Sequence, residues 1–297
     1  MADIIERIRK SWAESDDKRD EGLKTPEGIL RHDGLSYGSD GNWQKLDIYR
    51  PKDAEGKLAV IVSVHGGAWV YGDKERYQYY CMDLARRGFA VVNFTYRLCP
   101  EFRFPAPLED TSLVFRFMQE HGGEYGLDTG KVFAVGDSAG AHLLALYLCA
   151  RSNPDYAAAL PFELGPAPTV LAAALNCGVY DVRPKDLPDK NLPEILKEFL
   201  PKGGTKDELE MISVAPHVSE ALPPLYIMTS TDDMLKLQAP PLVQALCEAN
   251  VPQTFRLYAP EDRQGKLYHV FHLNIRSREA IACNDEECEF FRGFCRP

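Results

Sequence analysis

From about residue 45 onward, short runs of apolar and β-branched residues alternate with longer segments whose apolar residues recur every three or four positions. The short runs are "KLDIYRP" (45–51), "LAVIVSVHG" (58–66), "AVVNFTYR" (90–97), "VFAVGDS" (132–138), "LAAALNCG" (171–178), "PPLYIMTS" (223–230) and "QTFRLYA" (253–259). Several are apolar throughout rather than alternating, the pattern of strands covered on both faces. Between them, "ERYQYYCMDLARRG" (75–88), "LEDTSLVFRFMQEHG" (108–122), "SAGAHLLALYLCARS" (138–152) and "PPLVQALCEAN" (240–250) carry helical spacing and mostly end at Gly or Asn. The alternation predicts an α/β fold in one domain, residues 1–297, built on a mostly parallel twisted sheet with helices on both faces.

Two stretches break this rhythm. The amino-terminal segment, residues 1–31, places Ile4, Ile5, Ile8 and Trp12 on one helical stripe, and no strand pattern follows it directly. Residues 180–222 are rich in proline and charge, with one short helical pattern at "LPEILKEFL" (192–200). A segment of that length without a strand inside a compact domain is usually functional. Both segments are expected to lie over the end of the sheet as a cap or lid.

Composition narrows the function classes. The longest apolar runs are about ten residues, too short to span a bilayer. The first residues mix both charges and lack the apolar core and cleavage site of a secretory signal, so a cytoplasmic protein is expected. A net charge of −10 argues against nucleic-acid phosphates or an anionic membrane surface as partners. Of eight cysteines, Cys81, Cys99, Cys149 and Cys177 fall in apolar segments, where a reduced thiol behaves as a small hydrophobe. Cys283, Cys288 and Cys295 lack C-x-x-C spacing and a following His, so no metal centre is expected there. The sequence leaves the oligomeric state open and is compatible with a homodimer.

The strongest chemical signal is Gly136-Asp137-Ser138-Ala139-Gly140, a G-x-S-x-G pattern between an apolar strand and a helix that opens at once. Two glycines permit a tight turn that presents the Ser138 hydroxyl. The helix start directs N–H groups and the positive end of its dipole at any anion forming there. At the end of an earlier strand, His65-Gly66-Gly67-Ala68 forms a loop whose small residues let amides approach a substrate oxygen. The N–H groups of Gly66, Gly67 and Ala68, with that of Ala139, are the candidate oxyanion donors. His65 begins the loop and is read as a positioning residue.

"HGGAW", "YRLCPE", "FPAPLED" and "GDSAGAH" together resemble, in order and spacing, the hormone-sensitive-lipase-like branch of the α/β-hydrolase superfamily, from about Leu35 to about Asn274. The resemblance implies an α/β-hydrolase fold and a serine esterase with a Ser-Asp-His triad and no cofactor. The chain departs from that family in carrying Ala68 where a third glycine is commonest and Cys99 where Ala is usual. Ala68 keeps its N–H, so the oxyanion site survives unless the position demands a positive φ.

The triad order on this fold is Ser, then acid, then His. Downstream of Ser138, the strand "PPLYIMTS" runs into "TDDMLK", where Asp232 and Asp233 compete. The family pattern Asp-x-Leu aligns with Asp233-Met234-Leu235, so Asp233 is the expected acid and Asp232 a solvated or structural neighbour. After the last strand, "LYHVFHLN" offers His269 and His272. His269-Val270-Phe271 matches the family's H-x-F pattern, with Val270 where Gly is usual, and makes His269 the expected general base. His272 is left as a packing residue, and no metal pair is expected from the two.

The leading reading is hydrolysis of short-chain acyl esters through an acyl-enzyme on Ser138, with a small-molecule or oligosaccharide ester as substrate. The resemblance further suggests acetyl or feruloyl esters of plant carbohydrates. Two alternatives stand beside it: an amide hydrolase of formamidase or exopeptidase type on the same triad, and a non-catalytic ligand-binding relative.

Overall fold

The computed structural model describes residues 2–183, 191–262 and 264–295. In chain order its helices are α1 (Ala2–Asp20), α2 (Lys74–Ala85), α3 (Ala106–His121), α4 (Ala139–Ser152), α5 (Pro154–Ala159), α6 (Leu192–Phe199), α7 (Lys206–Ile212), α8 (Ala239–Glu248) and α9 (Arg278–Arg292). The strands are β1 (Ile29–Ser36), β2 (Lys45–Pro51), β3 (Leu58–Val64), β4 (Ala90–Thr95), β5 (Leu127–Asp137), β6 (Val170–Asn176), β7 (Leu225–Ser230) and β8 (Gln253–Tyr258). They form one eight-stranded sheet in the order β1-β2-β4-β3-β5-β6-β7-β8. β1/β2 and β2/β4 pair antiparallel, and every pair from β4/β3 through β7/β8 is parallel.

The central strands are apolar on both sides because both sides are covered. On one face Val60, Val62, Val132, Ala134, Ala173 and Leu175 pack under α3, α4 and α8. On the other, Ile61, Phe133, Val135, Ala172 and Ala174 meet residues of α2 and α9. Each fully buried Val or Ile contributes roughly 1.5–3 kcal/mol relative to exposure. Helix α4 is buried all along Ala139–Ala150, which explains an apolar pattern running all round it.

Two elements depart from the sequence expectation. A strand, β1, does follow the amino-terminal helix, beginning inside the segment assigned to the cap. It is an edge strand in which Ile29 alone is buried, so its pattern carries no alternation to read. Helix α9 also escaped the pattern. Its inward face includes Asn284 and Glu287 beside Ala280, Cys283, Cys288 and Phe291, and the two polar residues interrupt the apolar stripe. Within the 180–222 stretch, α6 and α7 are present, while residues 184–190 lie outside the described residues.

Parallel strands all point their carboxyl ends to one edge, and side chains for chemistry collect there. The turns after β3, β5, β6 and β7 and the loop after β8 converge on this edge, and α1 and α6 lie across it.

Candidate active site

Ser138 stands between β5 and α4 with φ 51° and ψ −117°, a conformation that costs a non-glycine residue about 1–3 kcal/mol and holds its hydroxyl up at the turn. The flanking glycines are fixed by close approach. A Cβ on Gly136 would sit 2.6 Å from the carbonyl oxygen of Gly140, and one on Gly140 would sit 2.0 Å from that of Val64. The elbow is thereby clamped against the end of β3.

His269, on the loop after β8, brings Nε2 to 3.0 Å from Ser138 Oγ and Nδ1 to 2.8 Å from Asp233 Oδ1. With the proton on Nδ1 donated to Asp233, Nε2 is free to accept from the serine hydroxyl. The Asp233 carboxylate is almost fully buried, at 1 % exposure. Burial pushes its pKa up, but the hydrogen bond and charge of His269, with donors Leu235 N–H (2.8 Å) and Thr229 Oγ1 (2.7 Å), leave it below the ordinary value. It is therefore an anion at neutral pH, aimed at the imidazole.

Asp232 points elsewhere. Its Oδ2 accepts from the backbone N–H of Leu267 at 3.0 Å and from the Thr231 hydroxyl at 3.1 Å, tying β7 to the loop that carries His269. His272 is fully buried against the Tyr80 ring, 5.2 Å between centroids, and burial pushes its pKa down to about 3. Its ring is thus neutral and remote from solvent.

The expected oxyanion donors divide. The Gly66 N–H is donated to the Tyr77 hydroxyl at 2.9 Å, so this amide is occupied and is withdrawn from the donor set. The N–H groups of Gly67, Ala68 and Ala139 make no hydrogen bond to a described residue, and all three residues line the same cavity as Ser138. The loop is held from beneath: Tyr77 donates in turn to Asp137 Oδ2 at 2.8 Å, and His65, stacked on Tyr96 at 3.9 Å, engages the Gly66 carbonyl at 2.7 Å. Burial lowers His65 to about 4, which suits a neutral strut. Ala68 itself has φ 49° and Val270 has φ 52°, so both positions where the chain departs from the family's glycine lie in the left-handed region; Ala68 adopts it despite its Cβ and still lines the cavity, so the positive φ does not remove it from the donor set.

The cavity around Ser138 has a volume of about 260 Å³, room for roughly nine waters at liquid density. Its lining includes the apolar side chains Trp69, Val179, Leu192 and Leu235 and, from α1, Ser15, Asp16 and Arg19. Among the described residues, one trio could offer ligand atoms to a metal: Cys177, Asp233 and His269, within 4.8 Å of one another. His269 and Asp233 already satisfy each other there. The eight cysteines are all free thiols, and Cys283 and Cys288 are buried on α9 as apolar packing residues.

Residues 46–240 match the BD-FAE family model. The chain belongs to the BD-FAE family. With it comes membership of the hormone-sensitive-lipase-like branch of the α/β-hydrolases, as the sequence motifs implied. Curated relatives of this BD-FAE chain include esterase LipQ of Mycobacterium tuberculosis, 29% identical over 82% of this chain and 58% of the relative. The probable carboxylic ester hydrolase LipM of the same organism is 30% identical over 69% of this chain and 48% of the relative. The chain thus spans about half the length of these relatives. Among solved structures, esterase B of Lactobacillus rhamnosis superposes with a TM-score of 0.87 at 26% identity, covering 99% of this chain and 96% of that one. A further structure of that esterase carries a tributyrin phosphonate inhibitor, at a TM-score of 0.87 and 25% identity.

Several residues at the site carried no sequence signal. Tyr77 lies in the first turn of α2, Thr229 near the end of β7, and Asp16 and Arg19 are two charges in a charged helix. Asp137 did lie inside the G-x-S-x-G pattern, but only the fold shows it bonded to Tyr77.

Proposed function

We propose that this BD-FAE protein is a serine carboxylesterase acting on short-chain acyl esters of small molecules. The observation that carries the reading is the hydrogen-bonded line from Ser138 Oγ to His269 Nε2 (3.0 Å) and from His269 Nδ1 to Asp233 Oδ1 (2.8 Å), beside three amides that have no partner among the described residues. Ser138 attacks the ester carbonyl while His269 takes its proton. Charge that develops on the carbonyl oxygen is received by the N–H groups of Gly67, Ala68 and Ala139 at the amino end of α4. His269 then returns the proton to the leaving alcohol, and a water repeats the sequence on the acyl-enzyme. Asp233 holds the imidazole in the required tautomer and stabilises its cation.

A cavity of about 260 Å³ favours short acyl groups. The amino-terminal segment, through Trp12, and the 180–222 segment, through Leu192, act as a cap over it. No helix among the described residues is long and apolar enough to cross a membrane. Eight unpaired cysteines favour a reducing compartment, which supports the cytoplasm. The test is turnover of p-nitrophenyl esters from acetate to decanoate by wild type and Ser138→Ala. The expected result is a maximum at short chains and loss of at least about a thousandfold in the variant. Equal rates in the two proteins sink the proposal.

A further inference from the structure

A thiol stands beside the His269 and Asp233 pair, and the ester chemistry does not use it. Cys177 lies on the turn after β6 with φ 48°, in the left-handed region that a β-carbon disfavours, as do Ser138 and Val270 at the same edge of the sheet. Its amide donates to the Met228 carbonyl at 2.7 Å, which fixes the turn against β7. The side chain is buried, at 1% exposure, and its sulfur lies 3.9 Å from the Met228 thioether. The same sulfur, a carboxylate oxygen of Asp233 and a ring nitrogen of His269 lie within 4.8 Å of one another. The ring nitrogen that faces Asp233 is Nδ1, 2.8 Å from Oδ1.

Thiol, carboxylate and imidazole are the donor types of a metal site, and here they stand close to metal-binding separations. A tetrahedral ion with bonds of about 2.0–2.3 Å holds its S, N and O donors roughly 3.3–3.6 Å apart, so the trio needs to close by no more than roughly 1.5 Å. Thiolate and thioether prefer soft cations, whereas Mg2+ and Ca2+ need a cage of oxygens that one carboxylate does not supply. Burial and the facing Asp233 carboxylate push the Cys177 thiol well above its ordinary pKa, so the free protein holds it neutral. A coordinating cation displaces that proton. The way in is the cavity, which His269 lines with a side chain 20% exposed.

We propose that Cys177, Asp233 and His269 form an inhibitory site for a soft divalent cation such as Zn2+ or Cd2+, with the Met228 thioether as a further soft donor at its edge. The proposal rests on the esterase reading and adds a means of switching that activity off. Binding forms bonds from the metal to Cys177 Sγ, to the Asp233 carboxylate and to His269 Nδ1. The thiol proton leaves to solvent and the imidazole proton moves from Nδ1 to Nε2, so a thiolate and a carboxylate balance the charge of the ion. No group changes oxidation state. Nε2 then carries a hydrogen and cannot accept the one on Ser138 Oγ. Asp233, bound to the metal, no longer holds the tautomer that base catalysis needs.

Metal titration of the intact protein tests it. Cd2+ and Zn2+ should stop p-nitrophenyl acetate turnover at concentrations where Mg2+ has no effect. Cys177→Ser and Cys177→Ala, each measured against its own rate without metal, should need at least about tenfold more Cd2+ for half-inhibition, since even partners outside the ligand shell are worth that much in affinity. Cys177→Ser changes one atom and keeps a donor toward Asp233, so it folds even where the gap left by Cys177→Ala is not tolerated. Binding is read without turnover in Ser138→Ala, from the ultraviolet charge-transfer absorption of a thiolate on Cd2+. Exposed Cys247 adds its own band, so the quantity is the absorption lost when Cys177→Ser is added to Ser138→Ala. Wild type indifferent to Cd2+, or Cys177 variants inhibited at the wild-type concentration, overturns the site. Mg2+ as potent as Cd2+ overturns its soft character. A band that depends on Cys177 in a protein that turns over no ester overturns the esterase reading and leaves the metal site standing.

Discussion

Val270 follows His269 directly and holds φ 52° and ψ 34°, a region a β-branched residue almost never occupies. Its side chain is partly buried against the α2/α9 cluster, so a direct Val270→Gly comparison with wild type mixes backbone relief with lost packing. Comparing Val270→Gly with Val270→Ala removes that ambiguity, because both lose the same methyl contacts. The left-handed conformation costs an L-residue roughly 1–2 kcal/mol, which alanine keeps and glycine sheds. Glycine's freer unfolded chain offsets roughly 0.4–1 kcal/mol of that gain. The glycine variant should therefore be the more stable of the two by about 0.8 kcal/mol, a rise in Tm of about 2 °C for a chain of this size. At an ordinary position the sign is opposite, with glycine below alanine by roughly 0.5–1 kcal/mol. Urea unfolding monitored by circular dichroism at equal m-values gives the difference. Val270→Ala more stable than Val270→Gly would refute the reasoning, because no backbone cost would then be stored beside His269.

Ala68→Gly should show the same sign, since Ala68 has φ 49°, and thermal unfolding reads it directly. Gly140→Ala should destabilise by more than about 4 kcal/mol, since its Cβ would lie 2.0 Å from a backbone oxygen; Gly123→Ala, with open space around the Cβ, should stay within about 0.5 kcal/mol. Asp233→Asn should lower kcat by about a thousandfold or more through loss of the imidazole's tautomer. Asp232→Asn should act mainly on stability and cost far less activity, because its carboxylate holds Leu267 rather than His269. Glu287, fully buried and bonded to Asn176 at 2.7 Å, is raised by burial from 4.5 to about 7. The native state binds the extra proton between those pH values, so wild-type stability falls as pH rises through this window. Glu287→Gln should gain on wild type across it, by an amount on the order of 3 kcal/mol at most by pH 8 and vanishing near pH 4, as read from denaturation midpoints.

The architecture was legible where burial on both faces or a long helical stripe imposed a pattern, as in β3, β5 and α4. It was illegible where an element lies at an edge or hides polar groups, as in β1 and α9. At the site, Ser138 was visible because its flanking glycines are demanded by backbone contact at short range. Asp233 and Asp232 were separable by resemblance alone, since adjacent residues differ only in where each side chain points once β7 ends. That the Gly66 amide is already engaged could not be read from the sequence, because its partner, Tyr77, is eleven residues away on a different element. Val270 and Ala68 were visible as departures from glycine, but their φ values come only from the folded chain. The α1 residues Asp16 and Arg19 were silent in the sequence because a charged helix on a surface needs no function to explain it.

The central claim is that Ser138 is a nucleophile activated by His269, and a fluorophosphonate probe followed by peptide mass spectrometry tests it most directly. The account requires a single adduct on the peptide bearing Ser138, formed rapidly by wild type, slowly by His269→Ala and not at all by Ser138→Ala. An adduct elsewhere, or equal labelling of wild type and Ser138→Ala, would contradict it.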